Sequence, residues 1–197
     1  MSKADPRIDE LERAMREQTL VNISRSPRNA DRVDGFVVAM GSKWVLIAQT
    51  RDGGYFDGLT AVRLRDVVKV ADDSTFAERF ARSQPQWPPS APEDLDLGKT
   101  RRLIETLSKA SELIGIEQER RHKSAMQWIG AVDEIESGWL WLREVRSDAT
   151  WHDEALGYKL SRITKVVVLN DYQLGLTAIA GQVPDGDCTG LPRECFP

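Results

Sequence analysis

The sequence predicts a mainly β protein with some α-helix, an α+β fold built by internal duplication. Three observations lead to this prediction. Two stretches of the chain align with each other in one order, each contains several short runs rich in Val, Ile, Leu and Trp, and each is led by an amphipathic helical pattern. With 197 residues, the chain has room for one ordinary domain or two small ones.

A helical pattern begins each unit. Apolar residues recur every three or four positions at residues 8–18 and again at residues 99–111, which is the spacing of an amphipathic helix. A short β-like run follows each of them, at residues 19–25 and 112–120. Three or four further strands come next, and a second helical pattern at residues 74–83 closes the first unit.

The strands that follow are matched between the units. Residues 34–53 align with residues 129–148 at a separation of 95 positions, and after one inserted residue, residues 62–70 align with residues 158–166 at a separation of 96. The matched structural positions are Gly35 with Gly130, Trp44 with Trp139, and Leu64 with Leu160. Because Gly, Trp and the Lys-Val pair (Lys69-Val70 and Lys165-Val166) keep one order with a single gap, we interpret the match as a duplication.

These elements divide the chain into four segments. We expect a helix plus the first strand unit at residues 1–82, a Pro-rich linker at 83–98, a helix plus the second unit at 99–180, and a tail at 181–197. Four prolines in the linker disfavour a helix or a central strand, so a semi-rigid extended segment is expected there. The tail is rich in Gly and Pro without periodicity, which predicts a loose terminus.

A family resemblance is carried by the second and third strands of each unit. Val33-Asp34-Gly35 has a hydrophobic-x-Gly pattern, and an apolar run follows a short turn at residues 41–47. This pattern resembles the Sm-like branch of the small SH3-type barrels, where Gly permits a sharp strand bend. Residues 41–70 are also similar to the WYL domain, a bacterial relative of the same barrel, with Trp44-Val45-Leu46 and Trp139-Leu140-Trp141 in the place of its Trp-Tyr-Leu strand. The resemblance implies two tandem SH3/Sm-like barrels, each preceded by a helix.

Composition excludes several classes of protein. The chain has 31 acidic and 27 basic residues, a net charge of −4, 41 % hydrophobic residues and 29 % charged residues, which is the balance of a globular protein. The mild negative charge argues against a general polyanion-binding protein. No apolar run approaches the ~20 residues of a membrane span, and the first residues contain no apolar stretch of the signal-peptide kind. We therefore expect a cytoplasmic protein without a membrane segment.

The sequence offers little support for catalysis. His122 lies in a charged loop, and His152 is followed by two carboxylates but has no His counterpart in the first unit. Cys188 and Cys195 are too few for a four-ligand zinc site and are expected to be free thiols in a reducing cytosol. Phosphate-loop, dinucleotide and zinc-protease motifs are also missing from the sequence. We predict a protein that is not an enzyme and needs no cofactor or metal.

Aromatic residues lead to the first functional hypothesis. The matched Trp44 and Trp139 are expected in the core, whereas Trp141 and Trp151 belong to the second unit only. We expect a binding or regulatory protein that engages a protein partner through Trp151, His152 and Trp128.

Arginines lead to two alternatives. They surround the loop after the first strand and follow a later strand, at Arg25, Arg28, Arg32, Arg63 and Arg65. With nearby aromatics they can form a surface for RNA or single-stranded DNA. By the WYL resemblance, the same arginines would sense a small anionic ligand. Neighbouring aspartates favour an ion-paired, solvated face over the nucleic-acid surface.

Overall fold

Ten strands and four helices make up most of the residues that the computed structural model describes, which are 5–28, 30–120 and 126–184. The helices are α1 (Pro6–Glu17), α2 (Ala77–Ala81), α3 (Thr100–Ala110) and α4 (Asp171–Ala180). The strands are β1 (Leu20–Arg25), β2 (Val33–Met40), β3 (Trp44–Arg51), β4 (Tyr55–Arg63), β5 (Val67–Asp72), β6 (Ile114–Glu117), β7 (Gln127–Glu136), β8 (Trp139–Val145), β9 (Trp151–Lys159) and β10 (Lys165–Val168). We call the part from α1 to α2 the first half and the part from α3 to α4 the second half.

Within the described residues, all ten strands belong to one open antiparallel sheet in the order β5-β1-β2-β3-β4-β10-β6-β7-β8-β9. The halves join where β4 pairs with β10, from Val62 opposite Lys165 to Leu59 opposite Val168. The prediction of two separate SH3/Sm-like barrels is therefore wrong, although the mainly β character is confirmed. The physical reason is that the unpaired backbone groups at the edge of β4 are satisfied by a strand of the other half.

Both halves have the same strand order, with β10 to β9 repeating β5 to β4. A β-bulge lies between Val37 and Ala39 and recurs between Val132 and Glu134. Gly35 and Gly130 lie at equivalent points where two neighbouring strands come close together. A side chain at either position would collide with a main-chain carbonyl of the adjacent strand. The aligned positions of the sequence are thus equivalent positions of the sheet.

Local sequence explains where α1 begins. Asp5 accepts a hydrogen bond from the backbone N–H of Arg7 and Pro6 occupies the first turn, so α1 starts with a side-chain cap and a residue whose φ suits a helix. The buried residues of α1 are Leu11 and Ala14, and those of α3 are Leu103, Ile104 and Leu107. Each helix covers an apolar core with this face.

The core crosses from one half to the other at β3, which is buried on both faces. Val45 and Ile47 pack in a core with α1. Trp44 and Leu46 point to the opposite face and pack in a core that includes α3 and β8 of the second half. The carbonyl of Leu97 accepts hydrogen bonds from the backbone N–H groups of Lys43 and Trp44, at 3.2 and 3.1 Å. The end of the predicted linker is therefore docked on the first half.

The segment boundaries at residues 82, 98 and 180 stay a prediction. One sheet runs through both units, so the sheet does not mark where one segment ends and the next begins. Residues 83–98 contain no helix or strand. His122, Cys188, Cys195 and most of the predicted tail lie outside the described residues. Among the helices that are described, none has the length and apolar character needed to cross a membrane.

Candidate functional site

A cavity of about 540 Å³ lies where the two halves meet, and we call it the junction cavity. Its lining consists of five cationic side chains, three hydroxyl side chains and one leucine: Lys43, Arg63, Arg65, Lys99, Arg101, Ser42, Thr100, Ser161 and Leu160. The described residues contribute no carboxylate to this lining. The volume lies within the range of small-molecule sites, roughly 300–1,000 Å³.

Four short segments bring these residues together. The β2–β3 turn supplies Lys43, and the end of β4 with its following 3₁₀ turn supplies Arg63 and Arg65. These two segments are adjacent because Trp44 pairs with Arg63 across β3 and β4. The second half supplies the start of α3 and the 3₁₀ turn after β9. The start of α3 is held against β3 by a hydrogen bond of 3.3 Å from Trp44 Nε1 to Thr100 Oγ1.

Arg63 is the cationic residue held most firmly. Its Cζ atom lies 4.2 Å from the centroid of the Trp44 ring, and only 7 % of the residue is exposed. Its Nε and Nη2 atoms donate hydrogen bonds of 2.9 Å to the carbonyls of Ile163 and Leu160 in the second half. Since a guanidinium has five N–H donors, these bonds leave others for a ligand.

The lining of the junction cavity carries an excess of positive charge. Burial, and then the like charge of Arg65, lower the pKa of Arg63 to about 10, so this residue remains charged at neutral pH. Arg65 lies 3.8 Å from Asp66 and Arg101 lies 2.6 Å from Glu105, which gives these two cations a carboxylate partner. The remaining three cations, Lys43, Arg63 and Lys99, form no ion pair with the described carboxylates. An anion in the cavity would supply the missing counter-charge.

The N-terminus of α3 adds to this positive charge. Asp5 caps α1 and Asn170 caps α4 through their side chains, whereas the side chain of Lys99 makes no capping hydrogen bond to α3. The first turn of α3 also lacks an acidic residue. The first N–H groups of a helix have no intrahelical acceptor and lie at the positive end of the helix dipole. In α3, these groups begin at Thr100 and Arg101, which line the cavity.

The structure divides the five arginines of the predicted anion or nucleic-acid site. Arg63 and Arg65 line the junction cavity, while Arg25, Arg28 and Arg32 do not. The side chain of Arg25 is buried and binds Glu119 through two hydrogen bonds of 2.7 and 2.8 Å. Arg32 pairs with Asp34 at 2.6 Å, and Arg28 is exposed.

Sequence reasoning missed Lys43, Lys99 and Arg101. A signal for the last two was present, because Lys99, Arg101 and Arg102 cluster at a predicted helix start, where acidic residues are normally favoured. Lys43 gave no such signal, because lysines are common in turns whatever their function.

The predicted partner-binding residues have packing roles. Trp151 is half-buried, donates a hydrogen bond of 3.1 Å from Nε1 to the carbonyl of Ala180, and packs in a small core beneath α4. The Trp128 ring lies 5.2 Å from the Tyr158 ring and packs against the main core. His152 is half-buried beside Glu144. Their role in partner binding stays a prediction.

The matched structural positions differ in burial. Trp44 is completely buried, whereas Trp139 is half-buried and stacks on Trp141 with ring centroids 6.4 Å apart. Leu64 packs against the core beneath α1, and Leu160 lines the junction cavity.

In the described ranges, no group of three or more His, Cys, Asp or Glu side chains is placed to hold a metal ion.

Comparisons of the chain with protein-family models, curated proteins and solved structures found no match. The resemblance to Sm-like and WYL proteins therefore stays a prediction.

Proposed function

We propose that this protein is a non-enzymatic binding protein that takes up a small anionic ligand in the junction cavity. The observation that carries the proposal is the lining: five cationic side chains surround about 540 Å³, and no described carboxylate faces the same space. Charge-assisted hydrogen bonds from such groups contribute about 1.5–3 kcal/mol each. The cytoplasmic location expected from the sequence remains part of this proposal.

A small ligand fits this lining better than a nucleic-acid strand does. Proteins that bind single strands combine a basic groove along the backbone with aromatic side chains on which bases stack. The junction cavity is confined to one place on the molecule, and the described residues contribute no aromatic side chain to its lining. Arg25, which was expected to extend a nucleic-acid surface, is buried in an ion pair with Glu119.

Ligand binding has a consequence for the whole fold. Lys43, Arg63 and Arg65 belong to the first half, whereas Lys99 and Arg101 belong to the second. A ligand that contacts both groups would stabilise the folded chain, because it binds the native state and not the unfolded one. This coupling is the basis for a regulatory role.

The proposal is tested by titrating the full chain with citrate, phosphate and tripolyphosphate at constant ionic strength and following heat and melting temperature. We expect at least one of these anions to bind and raise the melting temperature. Lys99→Ala should weaken this binding about tenfold, which corresponds to the loss of one charge-assisted contact. Lys109→Ala is the matched control, because Lys109 is an exposed lysine at the other end of α3. Binding by none of the three anions, or an equal loss in both variants, would overturn the proposal.

A further inference from the structure

The cations of the junction cavity fall into two groups, one from each half. Lys43, Arg63 and Arg65 form the first group, and Lys99 and Arg101 at the start of α3 form the second. Resting on the proposed function, we infer that the natural ligand carries at least two phosphate groups, one bound by each group of cations, and so bridges the two halves.

Charge favours more than one phosphate. Three of the five cations, Lys43, Arg63 and Lys99, have no carboxylate partner among the described residues. A phosphate monoester carries about −1.5 to −2 charges at pH 7. One such group leaves part of the positive charge uncompensated, whereas two connected phosphates balance it.

Volume leads to the same conclusion. A phosphate ion has five heavy atoms. Even at the roughly 30 Å³ that a water molecule takes up in the liquid, these atoms fill only a fraction of the cavity's 540 Å³. A single phosphate therefore leaves most of the cavity unfilled.

The donors suit phosphate oxygens. The second group combines a lysine, an arginine and the Thr100 hydroxyl with the uncapped N-terminus of α3. Backbone N–H groups at a helix N-terminus are a common binding site for phosphate. The first group contains two arginines, whose planar guanidinium donors match phosphate oxygens in pairs.

A ligand with phosphates in both groups would also hold the β4–β10 junction together. The first group lies at the end of β4, and the second half reaches the same place through Leu160 and Ser161, shortly before β10. Opening of this junction would break the hydrogen bonds from Arg63 to the carbonyls of Ile163 and Leu160 and move Leu160 and Ser161 away from the first group, which disrupts the cavity that holds the ligand. We therefore expect the ligand to slow opening of the paired segments 59–62 and 165–168.

The test is a calorimetric titration of the full chain with phosphate, pyrophosphate and tripolyphosphate, with citrate as a polycarboxylate control, all at constant ionic strength. We expect the affinity to rise at least tenfold from phosphate to tripolyphosphate and to exceed that for citrate by a similar factor. Lys43→Ala and Lys99→Ala should each weaken tripolyphosphate binding about tenfold, while Lys109→Ala leaves it unchanged. Amide exchange in segments 59–62 and 165–168 should slow with tripolyphosphate and not with phosphate.

The outcomes separate this inference from the proposed function. Equal affinities for phosphate and tripolyphosphate, or for citrate and tripolyphosphate, would overturn the inference and leave an anion-binding protein. A loss confined to one of the two lysine variants would overturn the bridging geometry alone. If none of the anions binds, or if only a single-stranded oligonucleotide does, the inference and the proposed function both fall.

Discussion

The Cζ atom of Arg63 lies 4.2 Å from the centroid of the Trp44 ring, and the equivalent pair in the second half repeats this contact, with the Nζ atom of Lys159 5.0 Å from the Trp139 ring. Each cation is paired with its tryptophan across neighbouring strands. The two contacts differ in the other partners of the cation. Arg63 also donates hydrogen bonds to main-chain carbonyls of the second half and lines the junction cavity, whereas Lys159 does not line it.

Arg63→Ala is expected to destabilise the protein more than Lys159→Ala. The first variant loses hydrogen bonds to two carbonyls, and removal of a poorly solvated charge offsets part of that loss, so we expect a decrease of about 2–4 kcal/mol in the free energy of unfolding. The second loses a cation–π contact at a half-buried site and should cost about 1 kcal/mol or less. Urea unfolding of both variants measures the difference. Equal losses would show that Arg63 does not act across the junction.

The buried ion pair of Arg25 and Glu119 provides a second test of how the halves are connected. Both side chains are almost completely buried, and Thr164 Oγ1 donates a further hydrogen bond of 2.8 Å to Glu119. Arg25→Met or Glu119→Leu alone should destabilise the protein by about 3–5 kcal/mol, because each leaves a buried charge without its partner.

The double variant Arg25→Met/Glu119→Leu should cost clearly less than the two single losses added together, since it removes both buried charges. Urea unfolding of the four proteins in this double-mutant cycle gives the coupling energy. If the losses are simply additive, the two side chains do not act as a pair.

Glu144 is expected to make stability depend on pH. Burial raises the pKa of Glu144 above its ordinary value, and this outweighs the opposing effects of the hydrogen bond from the Tyr158 hydroxyl and of the nearby His152 and Arg146. A raised pKa means that the folded state holds the proton more tightly than the unfolded state. The resulting stabilisation is present below the ordinary glutamate pKa and is lost as pH rises through the folded-state pKa.

Glu144→Gln tests this pH dependence, because the amide oxygen can still accept the hydrogen bond from Tyr158 but carries no charge. We expect the variant to be more stable than the natural protein at pH 7.5, with the difference shrinking towards pH 4.5. Unfolding in urea at several pH values between these limits measures it. A difference that stays constant with pH would contradict the assignment.

Two glycines should respond in opposite directions to replacement by alanine. A side chain at Gly130 would collide with main-chain atoms of Arg143 and Glu144, so Gly130→Ala should destabilise the protein by about 1–3 kcal/mol. Gly175 lies in α4 with open space around the position of a side chain. Gly175→Ala should therefore stabilise the protein by up to about 1 kcal/mol, because alanine favours a helix. Thermal unfolding of both variants measures these changes, and a Gly130→Ala protein as stable as the natural one would contradict the expected collision.

Local patterns in the chain were enough to locate α1, α2 and α3 and to align its strands, whereas α4 was not predicted. The periodicity at residues 8–18 and 99–111 corresponds to α1 and α3, because a helix depends on contacts between residues three or four positions apart. The match of Trp44 with Trp139 likewise places both residues at the start of equivalent strands, β3 and β8. These features follow from neighbours in the sequence.

The joining of the halves and the composition of the junction cavity depend instead on distant residues. Val62 and Lys165 lie far apart in the chain, and no local signal tells which strand edge the backbone of β4 will meet, so one open sheet formed where two barrels were expected. Arg63 and Arg65 were recognised as candidates, but Lys43 and Lys99 become their neighbours only when α3 packs over Trp44. A binding cavity assembled from four separate segments exists only after the long-range packing has formed.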